Sequence, residues 1–145
     1  MALSIGDSFN LTKEPISRTT LALFAGASGD HNPIHIDLDF VKKAGLDDVF
    51  AHGMLGMAYL GQLLTNNFSQ EKIKKYSAKF ISITQIGAKF SLTGHIVDEI
   101  VLDGEKCLKI EIKAEDQNQD VKIAGEAIIA LWTIISVYFF NNSLK

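Results

Sequence analysis

Residues 54–65 constrain this chain more than any other stretch. Met54, Leu55, Met57, Tyr59, Leu60, Leu63 and Leu64 leave no broad polar face at helical spacing. A helix apolar nearly all round belongs in the centre of a fold, enclosed by other elements. Gly53, Gly56 and Gly61 stand at its start and along it. Each costs about 1 kcal/mol in helix propensity, which predicts close backbone approach between the helix and whatever encloses it. Asn66-Asn67 ends it.

The enclosing material comes mostly from downstream, where the hydrophobic period changes. Residues 79–84, 89–97, 106–115 and 121–135 are rich in β-branched and aromatic side chains. In the third run Leu108, Ile110, Ile112 and Ala114 alternate with Lys109, Glu111, Lys113 and Glu115, a half-buried strand pattern. Gly87, Gly94, Asp103-Gly104 and 116–120 punctuate the runs as turns, and 69–76 reads as a polar link. Upstream, 5–11 is a modest strand candidate that Pro15 stops. Ser17 caps a helix over 18–27, which Gly29 closes. Asp37 caps a short helix over 38–44, closed by Gly45. Pro33 pushes Asn32 toward an extended conformation, so 30–35 is expected to be a turn. The plan is α+β: one long central apolar helix wrapped by an antiparallel β-sheet. No repeat, low-complexity segment or linker divides it.

With 145 residues, 47% apolar and 21% charged, the chain suits one globular domain. A net charge of -3 argues against nucleic acid held by phosphate contacts. The single cysteine, Cys107, excludes an internal disulfide. The start, MALSIGDSFN, has no basic region followed by an apolar run. No apolar run reaches the roughly 20 residues of a spanning helix. A soluble cytoplasmic protein with no membrane partner is expected.

The chemistry concentrates in 30–35. Asp30 and His35 lie five apart across a proline-stiffened turn, which holds them at nearly fixed separation and aims both into one cleft. Histidine titrates near neutrality and aspartate is normally ionised, so such a pair can hold one water and move protons both ways. Gly53 follows at the start of the apolar helix. Its N–H is one of the unpaired donors of the first turn, with no side chain to block an incoming carbonyl. It can stabilise negative charge developing on a thioester oxygen. Together these supply what addition of water to a carbon β to a carbonyl requires.

Phe24-Ala25-Gly26-Ala27-Ser28-Gly29-Asp30-His31-Asn32-Pro33-Ile34-His35, followed by Ala51-His52-Gly53-Met54, resembles the MaoC-like hydratase family. That family comprises (R)-specific enoyl-CoA hydratases and 3-hydroxyacyl thioester dehydratases with a hotdog fold. The likeness runs over about residues 5–131, including Gly125-Glu126-Ala127. It implies a single hotdog domain over 1–131. Asp30 and His35 would hold the catalytic water, the Gly53 N–H would bind the thioester carbonyl, and Asn32 would fix the loop. His52 and Met54 complete the signature as site-shaping residues. No metal or redox cofactor is implied; CoA or an acyl carrier protein brings the substrate. A homodimer sharing a continuous sheet is expected, with the pantetheine groove near the subunit boundary.

Two features depart from the family pattern. Ile83, Thr84 and Ala88 stand where Pro, Val and Asp are usual, which bears on shape near the substrate opening. Residues 132–145 run past the usual end, and Val137-Tyr138-Phe139-Phe140 is too apolar for a free tail. They are expected to pack on the same domain, at the last strand, the sheet edge or a subunit contact.

Other side chains have simpler readings. His31 is expected in solvent, and Met57 and Tyr59 in the core. His52, just before the helix, can brace the loop carrying Asp30. His95 receives no role. His31 and His35 have zinc-helix spacing, but Pro33 breaks the helix that would align them. Lys72, Lys74, Lys75, Lys79 and Lys89 form either a solvated face or an attraction for CoA phosphates. The alternatives to a hydratase are a non-catalytic hotdog partner subunit and an acyl-CoA thioesterase. Hotdog thioesterases tend to carry an acidic residue on the central helix, and 54–64 has none.

Overall fold

The computed structural model describes residues 3–131. A short strand β1 (Ser8–Thr12) leads to α1 (Arg18–Ser28), two small helices α2 (Pro33–Ile36) and α3 (Leu38–Lys43), and the long α4 (Gly53–Thr65). Strands β2 (Ile73–Phe80), β3 (Ser91–Leu102), β4 (Glu105–Glu115) and β5 (Val121–Ala130) follow. The five strands form one sheet in the order β1-β3-β4-β5-β2, with every neighbouring pair antiparallel. β1 and β2 are therefore its edges.

The sheet encloses α4 as expected. Leu55, Leu60, Leu63 and Leu64 of the helix share one core with Leu92 and Ile96 of β3, Ile110 and Ile112 of β4, and Ile123 and Ile129 of β5. Burying each such side chain stabilises the fold by about 1.5–3 kcal/mol. The alternation in β4 is realised: Leu108, Ile110, Ile112 and Ala114 are buried, while Glu111 and Lys113 face solvent. Gly56 shows the close approach that its residue type predicted. A Cβ there would lie 2.4 Å from Ile123 Cδ1.

Several local expectations are corrected. Pro33 does not hold 30–35 as a plain turn. It occupies the first position of α2, where its missing N–H is no loss. The link over 69–76 is shorter, because β2 begins at Ile73; it is an edge strand whose Lys74 and Lys75 obscure the apolar period. The strand expected to reach residue 84 ends at Phe80. Gly94 lies inside β3, not in a turn. A Cβ there would meet the Phe9 ring at 2.4 Å. Finally, α4 is not enclosed all round: Met54, Ala58 and Gln62 lie along an open face, and Met57 is only half-buried. The proposed packing of 132–145, and the last strand beyond 131, lie outside the described residues.

Candidate active site

The residues of the signature meet at the N-terminus of α4. Ser17 accepts a hydrogen bond from the Thr20 N–H and starts α1; Gly29, at φ 76°, ends it. This delivers Asp30 to the first position of a tight double turn. Asp30 Oδ1 accepts from the Asn32 N–H at 3.2 Å, and Asn32 Oδ1 accepts from the Ile34 N–H at 3.2 Å. Asn32 is thus the cap of α2 and fixes the loop, as expected. One Asp30 oxygen, Oδ2, keeps no partner among the described residues.

α2 places His35 against the core, nearly buried. Its Nδ1 lies 2.7 Å from the Phe50 carbonyl oxygen. A carbonyl only accepts, so Nδ1 carries the proton and neutral His35 presents a bare Nε2. Phe50 is held in turn by a bridge to Gln85 and by its N–H to the Ile34 carbonyl at 3.4 Å.

His52 caps α4 without a side-chain capping bond. Its Nε2 sits 3.1 Å from the Asp30 carbonyl oxygen, so this ring carries its proton on Nε2. The brace between His52 and the Asp30 loop is therefore present. The His52 ring stacks on His35, centroids 3.9 Å apart at 29°, and meets Phe24 edge-on at 5.0 Å. Burial lowers the His52 pKa, as does the neighbouring His35. The bond to the Asp30 carbonyl and the Asp30 charge oppose that shift.

One ligand atom each from Asp30, His35 and His52 lie within 4.8 Å of one another. That separation lets one water bond two of them at about 2.8 Å. The same three atoms are close enough to one another to serve as metal ligands, while one nitrogen of each ring already faces a main-chain carbonyl. His31, weighed as a ligand from its spacing, is exposed and outside the cluster.

Gly53 opens α4, and its N–H has no acceptor within the helix. It shares a depression of about 320 Å³ with His35, rimmed by Phe50, Phe80, Ile83 and Thr84. Asp30 faces a second depression, of about 500 Å³, with Phe24, Met54, Met57, Ala58 and Tyr76. The expectation that both groups share one cleft is corrected: His35 with Gly53 and Asp30 face two separate hollows flanking the start of α4. Met57, expected in the core, lines the second. A larger hollow of about 910 Å³ lies on the outer sheet face around His95 and Glu111 and contains none of these residues.

The lysines do not converge on the site. Lys74 pairs with Glu105 at 2.8 Å, Lys75 with Glu126 at 3.4 Å, and Lys79 lines the outer-face hollow. The residue-level reading had no means of finding the Phe50 carbonyl, since every residue has one.

Comparison with known proteins finds relatives by sequence and by fold. The fatty acid synthase subunit beta of Saccharomyces cerevisiae is 29% identical over 109 residues, 73% of this chain but 5% of that protein. The chain thus spans only a small fraction of that subunit's length. The 3-hydroxybutyryl-CoA dehydratase of Methylorubrum extorquens is 27% identical over 138 residues, covering 79% of this chain and 86% of that one. The solved (R)-hydratase from A. caviae involved in PHA biosynthesis superposes with a TM-score of 0.76 at 21% identity, over 88% of this chain and 96% of that one, and shares its hotdog fold. The model of the MaoC-like domain matches residues 2–118. That span holds the double turn, both stacked imidazoles and the whole of α4, so the chain belongs to the MaoC-like dehydratase family.

Proposed function

We propose that this chain is an acyl-thioester hydro-lyase that reversibly hydrates a trans-2-enoyl thioester to an (R)-3-hydroxyacyl thioester. One observation carries the reading: the Asp30 carboxylate and a His35 ring nitrogen come within 4.8 Å beside the first turn of α4. The bare Nε2 of His35 accepts one hydrogen of the water and Asp30 accepts the other. The water oxygen bonds the β-carbon while His35 takes its proton. The electron pair of the double bond moves toward the thioester oxygen, where the Gly53 N–H stabilises it. The proton then passes to the α-carbon, and the reverse sequence expels water. Asp30, His35 and Gly53 are the catalytic groups; Asn32, His52 and Met54 shape the site. The mechanism uses no metal or redox cofactor.

The M. extorquens relative, named for a CoA substrate and aligned over most of its length, supports a CoA carrier. The (R) configuration rests on the Ser-Gly-Asp-x-Asn-Pro-Ile-His signature. Both acid–base groups are present, which disfavours a non-catalytic partner subunit, and α4 carries no acidic residue, which disfavours a thioesterase. A homodimer is supported by exposed Met54, Phe80, Ile81 and Ile83 around the hollows. Sedimentation at micromolar concentration gives a mass of two chains; a single-chain mass refutes it. Among the described residues no helix is long and apolar enough to cross a membrane, which accords with the cytoplasmic placement we propose.

The purified chain is assayed with crotonyl-CoA by loss of the enoyl-thioester absorbance, and with an enoyl-carrier substrate in parallel. Turnover is expected with one or both, reduced about a thousandfold or more by Asp30→Asn or His35→Ala. Inert wild-type protein, or full activity in both variants, overturns the proposal.

A further inference from the structure

We infer that His52 is a positioning residue of the hydration site, setting the separation of Asp30 from His35 by holding the main chain of one and the ring of the other. The inference rests on the hydratase reading above. Its structural basis is independent of the acid–base chemistry. His52 is 2% exposed and comes from a different segment than the double turn. Its Nε2–H reaches back to the Asp30 carbonyl at 3.1 Å. The flat face of the same ring lies on His35 at 3.9 Å. Phe24 of α1 closes on the ring from another side at 5.0 Å. One rigid side chain thus fastens the Asp30 loop and buttresses the general base. Asp30 and His35 are otherwise joined only through the short α2 turn.

The two imidazoles carry opposite tautomers. His35 is protonated on Nδ1 toward the Phe50 carbonyl, and His52 on Nε2 toward the Asp30 carbonyl. This leaves His52 Nδ1 as a buried ring nitrogen with no hydrogen-bond partner among the described residues. An unpaired buried acceptor costs free energy, so a ring placed this way is not explained by its own bonding. Asparagine or glutamine would meet the Asp30 carbonyl without leaving that atom bare, but neither offers an aromatic face to His35. His52 is the cap residue at the N-terminus of α4, whose positive dipole end disfavours a protonated ring there. The burial that lowers the His52 pKa acts in the same direction. Both effects favour the neutral form of the His52 ring.

Three variants separate the two contacts. His52→Phe keeps an aromatic face and removes the donor. His52→Gln keeps a donor near the Nε2 position and removes the face. His52→Ala removes both. Misplacing a reacting group by about 1 Å can cost on the order of a hundredfold in rate. The expectation is a fall in kcat of about tenfold or more for His52→Phe with KM within about twofold, a larger fall for His52→Ala, and partial recovery in His52→Gln. Nitrogen-15 NMR of the unmutated protein reads the tautomers directly, with His52 expected on Nε2 and His35 on Nδ1. Active wild-type protein with kcat unchanged in His52→Phe, or a His52 ring protonated on Nδ1, overturns the inference and leaves the hydratase reading standing. Inactive wild-type protein with the expected tautomers sinks the hydratase reading instead.

Discussion

Tyr76, on the edge strand β2, donates its hydroxyl to the main-chain carbonyl of Met57 inside α4. Burial pushes the pKa of this hydroxyl up to about 12, with the Gly61 N–H opposing that shift. The Tyr76 hydroxyl thus ties the edge strand β2 of the described sheet to the middle of the helix that carries Gly53.

Removing that hydroxyl tests the tie. Tyr76→Phe keeps the ring and its packing but leaves the helix without its lateral anchor. A loss of about 1 kcal/mol in unfolding free energy is expected, read from urea denaturation with an unchanged slope. No loss means that the helix does not depend on this contact.

Gly53 allows a cleaner test of its donor than most backbone groups. It is the first residue of α4, where proline is well tolerated. His52 has φ -55° and ψ 129°, a conformation compatible with a following proline. A side chain at Gly53 would press on the Phe80 ring at 3.1 Å, but Phe80 is half-exposed and can swing away. Gly53→Pro therefore deletes the N–H while keeping the helix. Its kcat is expected to fall about 10²–10³-fold with a Tm close to wild type. Gly53→Ala retains the N–H and controls for the added bulk. Equal activity in the proline variant removes Gly53 from the mechanism.

Two glycines that look alike in sequence are expected to respond in opposite ways. A Cβ at Gly125 would lie 2.0 Å from the Ser77 carbonyl oxygen, which is backbone of the paired strand and has little room to give. A Cβ at Gly26, within α1, meets nothing within 4 Å. Gly125→Ala should destabilise by about 3 kcal/mol or more. Gly26→Ala should stabilise by about 0.5–1 kcal/mol through helix propensity and loss of unfolded-state freedom. Thermal unfolding of both variants checks the contrast.

The glycine contrast is invisible in the sequence, whereas other features of the fold and site are not. The break before Asp30 was legible because its cause is local, a helix stop at Gly29; the turn after it was only half legible, because proline both interrupts a helix and starts one, and here it opens α2. The β4 alternation was legible because that strand is central and one of its faces is packed. β2 was blurred because an edge strand presents lysines to solvent and needs no strict alternation. The open face of α4 was misread for a different reason. Met54, Met57 and Ala58 are apolar, and hydrophobicity alone does not distinguish a buried face from one lining a hollow. The His35–His52 stack joins residues seventeen apart in sequence, and no local pattern encodes it.

That stack also sets an acid response. The His52 pKa is lowered from the ordinary histidine value of 6.5, with burial as the largest cause. Between the lowered folded value and 6.5 the unfolded chain binds more protons than the folded one, so stability falls as pH falls. The contribution of His52 is fully present above 6.5 and is lost as pH drops through the folded value. Asp116 and Glu126 also have lowered pKa values, but they titrate below the ordinary carboxylate range and stay silent near neutrality. Unfolding free energies at about pH 7.5 and about pH 5.5 bracket the histidine window. Wild-type protein is expected to lose more stability across that interval than His52→Gln, which has nothing to protonate at this position. Equal losses in the two proteins would show that the His52 ring takes up a proton as readily in the fold as in water.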